Sequence, residues 1–139
     1  MFAVIRIRGS VGTSKKVEDT LRMLNLNSPN NCVVIPETKE YLGMLKKAKD
    51  RITWGEIDKK TLTKLLEKRS KISQEKLKGM KMKKFDDLSD VLIKNQIKLK
   101  LIFRLNPPRH GFKSTRLPYP KGDLGSRKEK INELLERMI

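Results

Sequence analysis

The segment Val4–Leu26, VIRIRGSVGTSKKVEDTLRMLNL, restricts the fold more than any other stretch, because it prescribes a strand, a glycine-punctuated basic loop and a helix in immediate succession. Val4 to Arg8 alternate apolar and basic residues with the period of a strand that has one buried and one solvated face. The solvated face is cationic. Gly9 and Gly12 interrupt the strand, Ser14 is placed to cap a helix, and Glu18 and Asp19 fall in its first turns, where the helix dipole favours anions. Val17, Leu21 and Leu24 give that helix one apolar stripe. Arg6, Arg8, Lys15 and Lys16 therefore converge where strand becomes helix. The loop GSVGTSKK fits neither G-x-x-x-x-G-K-[ST] nor G-x-G-x-x-G, which argues against a nucleotide-binding loop. Two readings stay open, a tight turn or a loop that meets a phosphate backbone through its amides and lysines.

Charge points to the second reading. With 33 basic and 16 acidic residues the chain carries a net charge of +17, which calls for a polyanion as partner, and nucleic acid is the usual one. A membrane surface is disfavoured, since no run approaches the ~18 apolar residues of a span and no broad apolar helix face is ringed by lysines with aromatic anchors. Cys32 lies in the apolar run Cys32-Val33-Val34-Ile35 and reads as a small buried residue. A single cysteine forms no internal disulfide, so an intracellular protein is expected, and basic residues from position 6 argue against a signal peptide. One Cys and one His exclude a Cys/His zinc cluster within the chain. The 139 residues suffice for one domain with a modest core, with room for an appended lobe.

Taken in order, the loop 25–31 leads to a buried strand at Cys32 to Ile35, ended by Pro36. Thr38 caps a predicted helix over Lys39 to Lys47 with Leu42 and Leu45 inward, and Arg51 to Trp54 form a third strand stopped by Gly55. Strand, helix, strand, helix, strand within ~55 residues predicts a compact α+β or α/β unit. Trp54 fits the core, or a lid on the sheet, better than a base-stacking platform. Asp58 opens a helix to about Lys68, carrying Leu62, Leu65 and Leu66. From Arg69 to Lys84 seven basic residues face one acid, Glu75, as in a basic arm that orders on RNA or in a solvated loop. Asp86 or Asp87 starts another helix with Leu88, Val91 and Leu92. Lys98 to Leu105 alternate as the clearest strand, with Leu99, Leu101, Phe103 and Leu105 on one face and Lys98, Lys100 and Arg104 on the other. An extended loop follows from Arg109 to Gly125, and Ser126-x-x-Glu129 predicts a capping box for a last helix with Ile131, Leu134, Leu135 and Met138 inward.

No acid occurs from Val91 through Gly122, while Lys94, Lys98, Lys100, Arg104, Arg109, Lys113, Arg116 and Lys121 do. Such a stretch fits an RNA-facing strand and loop better than a salt-bridged surface, with Phe112 and Tyr119 available to stack on bases. His110 is the only histidine and its neighbours in sequence are basic, aromatic or proline. General acid–base work needs an orienting partner, and Asp86/Asp87 read as helix caps, so an enzyme is not expected.

The segments IRIRGSVGTSKKVEDTLRMLNL, NNCVVIPET, GMLKKAKDRITWGE, FRLNPPRHGFK and GDLGSRKEKINELLERMI, in this order and spacing, resemble the large-subunit ribosomal protein family numbered thirty, seven in eukaryotic nomenclature, in its archaeal form. The likeness runs nearly end to end and is weakest at Lys71 to Lys84. It implies a ferredoxin-like β-α-β-α-β core with a three-stranded sheet and helices on one face, at residues 1–57. A mainly helical extension with one added strand, residues 58–139, would pack on it. It further implies a structural protein on 23S-type rRNA, near 5S rRNA and beside other large-subunit proteins, with no catalytic residue, cofactor or small-molecule substrate. Family RNA contacts carried over by position fall on Arg6, Arg8, Ser10, Lys15, Lys16, Asn31, Gly43, Met44, Arg104, Pro108, Arg109, His110 and Gly111. The charge pattern adds Lys98, Lys100, Lys113, Arg116 and Lys121. At His110 the family usually carries glycine, so the loop conformation there is in question. A free-standing RNA-binding regulator or ribonucleoprotein subunit outside the ribosome is the alternative.

Overall fold

A computed structural model describes residues 1–69, 85–93 and 101–139. The strands are β1 (Phe2–Arg6), β2 (Asn31–Ile35), β3 (Ile52–Glu56), β4 (Leu101–Arg104) and β5 (Gly125–Ser126). The helices are α1 (Lys15–Met23), α2 (Lys39–Ala48), α3 (Lys59–Arg69), α4 (Phe85–Ile93) and α5 (Ile131–Met138), the last preceded by a 3-10 turn at Lys128–Lys130. One sheet runs in the order β4-β2-β1-β3-β5. Its β2, β1 and β3 form the antiparallel centre expected of the core, with Phe2 opposite both Ile35 and Glu56. Beyond that core the chain adds a strand at each edge: β4 antiparallel to β2, with Asn31 opposite Arg104, and β5 parallel to β3, with Thr53 opposite Gly125. The sequence suggests only the first, since two residues are too few to show alternation.

The sheet is covered on both faces. Phe2, Val4, Val33, Ile35 and Trp54 pack with Leu21, Leu24 and Leu45 of the α1 and α2 side. Ala3, Ile5, Cys32, Val34 and Phe103 pack with Leu62, Leu65 and Leu66 of α3, Leu88 and Leu92 of α4, and Leu134, Leu135 and Met138 of α5. Each of these fully buried leucines contributes about 1.5–3 kcal/mol of apolar transfer. The alternation in β1 therefore misleads: all five of its residues are buried, because α1 and α2 cover the face that the pattern assigns to water, where Arg6 follows Phe2 and Val4, and the extension covers the other.

Helix ends follow local chemistry in part. Thr38 caps α2 by accepting from the Tyr41 amide at 3.4 Å. Ser14 stands at the start of α1, but its carbonyl rather than its side chain meets the helix, accepting from Val17 and Glu18 at 3.0 Å. Asn25, at φ +60°, closes α1 with the Leu26 amide donating to Leu21 at 2.8 Å and its own amide to Arg22 at 2.9 Å, a Schellman arrangement with asparagine in place of glycine. The predicted capping box at Ser126 and Glu129 is absent, because Ser126 is drawn into β5 beside Trp54 and the helix starts later. The start of α5 is instead tied by Asn132, which accepts from the Asp58 amide at 3.0 Å and donates to the carbonyls of Glu56 and Glu129 at 3.1 and 2.8 Å.

Gly55 does not stop β3 but lies inside it. A Cβ at this position would meet the Lys128 carbonyl at 2.0 Å and the Ile131 side chain at 2.9 Å, so the turn into α5 rests directly on glycine backbone. The strand start proposed at residues 98–100 and the basic segment at 70–84 lie outside the described residues.

Two stability measurements follow. Gly55→Ala should destabilise the protein by about 2–3 kcal/mol in urea unfolding, as overpacking against backbone does; an unchanged midpoint would contradict the close approach. Burial pushes the Cys32 thiol up to about 12, opposed weakly by a hydrogen bond from the Val4 backbone. The neutral thiol is the form that folding favours, so its contribution is whole below the unfolded thiol pKa of ~8.5 and is lost as pH rises towards 12. A thiol-reactive chromophore at pH 8 should report no reaction until the chain is unfolded.

Candidate nucleic-acid interface

Strand directions gather the basic loops at one end of the sheet. β1 and β4 finish there and β2, β3 and β5 begin there, as the pairings of Arg6 with Ile52 and Asn31 with Arg104 require. The loop 7–14, the loop 25–30, the turn 49–51 and the long segment 105–124 therefore share that end. Backbone bonds join them: the Asn30 amide donates to Arg6 at 2.8 Å, the Leu105 amide to Asn30 at 3.0 Å, and the amides of Ile7 and Arg8 to Arg51 at 2.9 and 3.1 Å.

Two arginines shape the glycine loop from inside. Arg6 is 2% exposed. Its guanidinium donates to the carbonyls of Arg8, Leu26 and Asn27 at 2.9, 2.7 and 2.8 Å and to Ser10 Oγ at 2.8 Å. Burial lowers its pKa from the ordinary guanidinium value, with the Glu18 charge opposing that shift and the Arg51 charge adding to it. Arg51 donates to the carbonyls of Gly9 and Gly12 at 3.1 and 2.7 Å. In a trans peptide the carbonyl and the next amide point in opposite directions. With the carbonyls of Arg8 and Gly9 turned inward onto arginine, the amides of Gly9 and Ser10 turn outward. Val11 stands at the tip, 93% exposed, and Lys15 and Lys16 are exposed at the start of α1. An outward amide pair flanked by cations is a surface suited to phosphate.

This geometry corrects the role read for Arg6. It presents no charge to solvent, because its donors are committed to loop carbonyls, and it acts by holding Ser10 and the loop in place. Arg51, which the sequence offers only as the start of a strand, matters more than its position suggests; its partners lie some forty residues upstream, so no local pattern marks it.

The second loop is built on a buried ion pair. Arg127 and Asp123 are both buried and paired side chain to side chain. Asp123 also accepts from the Ser114 amide at 3.1 Å, and Arg127 donates to Thr53 Oγ1 at 3.1 Å while its guanidinium lies 5.2 Å from the centre of the Tyr119 ring. Their i,i+4 spacing was the available signal in the sequence, although the segment is not helical. Along this segment Arg109, His110, Gly111, Lys113, Arg116 and Lys121 are exposed, as is Arg104 at the end of β4, while Pro108 is buried. Phe112 is turned partly into the core, which removes it as a stacking group, whereas Tyr119 keeps an exposed ring. His110 and Gly111 have φ of +64° and +68°, consecutive left-handed residues anchored by the Arg109 amide donating to Arg137 at 3.0 Å. Histidine thus takes a backbone conformation that suits glycine.

Asn31 is half-buried at the same end of the sheet, whereas Gly43 and Met44 stand in the middle of α2, Gly43 exposed and Met44 packed partly on the core. Lys98 and Lys100 lie outside the described residues. Among the described residues no helix is long and apolar enough to cross a membrane.

Removing the inner arginine tests this construction. Arg6→Met should cost about 2–4 kcal/mol, because four acceptors lose a charged donor and several stay buried. Arg8→Met should stay within about 1 kcal/mol of the parent. Equal unfolding midpoints for the two variants would contradict it.

Comparison with known proteins agrees with this architecture. The family described as Ribosomal protein L30p/L7e matches residues 2–52, that is β1 to the first residue of β3. Over the whole chain, the large ribosomal subunit protein uL30 of Methanosphaera stadtmanae is 45% identical, covering 100% of both proteins. Those of Methanococcus vannielii and Archaeoglobus fulgidus are 43% and 38% identical, each covering 99% of both. With that identity held from end to end, the chain belongs to the L30p/L7e family of ribosomal proteins in its archaeal form.

Proposed function

We propose that this protein is a structural constituent of the large ribosomal subunit, without catalytic activity, which binds 23S-type rRNA through the loop end of its sheet and lies near 5S rRNA. The observation that carries this reading is the convergence at one end of two pre-shaped cationic loops, 7–16 and 104–121, in a chain with net charge +17. Family membership supports the ribosomal setting in the cytoplasm, with other large-subunit proteins as neighbours.

Arg8, Ser10, Lys15 and Lys16 form one part of the contact, and Asn31, Arg104, Arg109, His110, Gly111, Lys113, Arg116 and Lys121 the other. Pro108 stiffens its loop from within, Gly43 and Met44 offer a separate contact on α2, and Lys98 and Lys100 extend the acid-free run. Residues 1–57 act as the rRNA-binding core, and residues 58–139 as an extension that covers its second face and supplies the second loop. Such a surface reads the shape and backbone of folded RNA more than its sequence, and neutralises phosphates where RNA helices converge.

Binding of the full chain to deproteinised 23S-type rRNA should weaken steeply with salt, and Arg8→Glu should flatten the slope of log K against log salt by about one to two without changing the unfolding midpoint. Binding no tighter than to random duplex at moderate salt would refute the reading. Co-sedimentation of the chain with large subunits from a salt-washed lysate is the expected outcome in the cell, and its absence would assign the chain to another ribonucleoprotein.

A further inference from the structure

A cleft of about 400 Å³ opens between the loop 109–119 and the outer side of α5, lined among others by Arg109, Tyr119, Arg127, Lys130, Glu133 and Arg137. Its volume lies within the ~300–1,000 Å³ range of sites that hold a small ligand. We infer that this cleft receives a single unstacked nucleotide of the bound rRNA, its base on Tyr119 and its phosphate at Arg109 and Arg137. The inference rests on the rRNA-binding reading above and narrows it to one pocket.

Tyr119 is a fixed platform with one open side. Its backbone amide donates to Leu124 at 2.9 Å, and the buried guanidinium of Arg127 lies 5.2 Å from the ring centre. Arg127 is itself held by Asp123 and Thr53, so the inner face of the ring is taken and its charge compensated. The residue is nevertheless 37% exposed. A platform open on one side takes one base by stacking, not a base on each face.

The charges fit the rest of a nucleotide. Glu133 is engaged by Lys130 at 2.8 Å, which leaves a carboxylate oxygen to accept from an exocyclic amine. The Arg137 guanidinium approaches the carbonyls of Arg109 and Gly111 at only 3.4 and 3.5 Å, weak contacts that a phosphate would replace with charge-assisted ones. The cleft is continuous with the acid-free loop, which places it on the rRNA side. An acidic peptide would satisfy the arginines but would leave the open side of the Tyr119 ring and the remaining Glu133 oxygen without a partner.

The test uses the full chain on deproteinised 23S-type rRNA, with affinity measured at two salt concentrations and base reactivity probed chemically. Tyr119→Leu, which fills the space but cannot stack, should bind roughly tenfold more weakly with an unchanged salt slope and should restore the reactivity of one unpaired base. Tyr119→Phe should behave as the parent. Parental affinity and base protection by the leucine variant would overturn the inference while leaving rRNA binding intact. Failure of the parent chain to bind this rRNA would remove both. Ultraviolet crosslinking of the unmodified chain gives a reading independent of how the variants fold. A crosslink from the peptide containing Tyr119 to one nucleotide is expected, and crosslinks confined to other peptides would overturn the inference.

Discussion

β1 lies at the centre of the sheet with α1 and α2 on one face and α3, α4 and α5 on the other, and that double burial governs where the charge of this chain can stand. A basic side chain within the sheet would be desolvated on either face, so cations are confined to the strand ends, the loops and the outer sides of helices. Strand direction then makes one end special. Two strands leave the sheet there and three enter it, and the loop 7–14, the turn 49–51 and the segment 105–124 at that end all carry arginine or lysine.

Neither cationic loop depends on its glycines and prolines alone. Both are shaped by arginines that bind the protein's own oxygens, Arg6 and Arg127 buried and Arg51 partly so. Arg6 and Arg51 draw carbonyls inward and turn amides outward in the first loop. In the second, Arg127 with Asp123 holds the backbone from Ser114 to Gly125 and backs the Tyr119 ring. A loop fixed before binding loses less conformational entropy when it meets RNA, so fewer phosphate contacts suffice for a given affinity. Such buried arginines are structural, although by charge alone they would be counted with the binding groups.

Much of this architecture is legible in the sequence, and the misreadings have a common cause. The first three strands, the first two helices and the leucine stripes of α3 and α5 follow from periodicity, and Cys32 and Trp54 take the buried places their neighbours imply. Alternation in β1 failed because a strand between two helical layers hides both faces, which no period within one strand reports. Gly55 was read as a stop because its real constraint, the Lys128 carbonyl, arrives from more than seventy residues away. The capping box lost to the pairing of Ser126 with β3. Within the interface, exposed lysines and arginines were legible from the absence of acids. Arg6, Arg51 and Arg127 were not, since what separates an inward from an outward arginine is tertiary.

The claim that the loop end of the sheet is the rRNA face is tested most directly by mapping lysine reactivity on the protein itself. Lys15, Lys16, Lys113 and Lys121 are exposed at or beside that end, while Lys39 and Lys60 are exposed at the start of α2 and of α3, at the opposite end. Acetylation read by mass spectrometry, with and without 23S-type rRNA, should show the first four protected and the last two still reactive. Protection of Lys39 and Lys60 with continued reaction of the loop lysines would contradict the account.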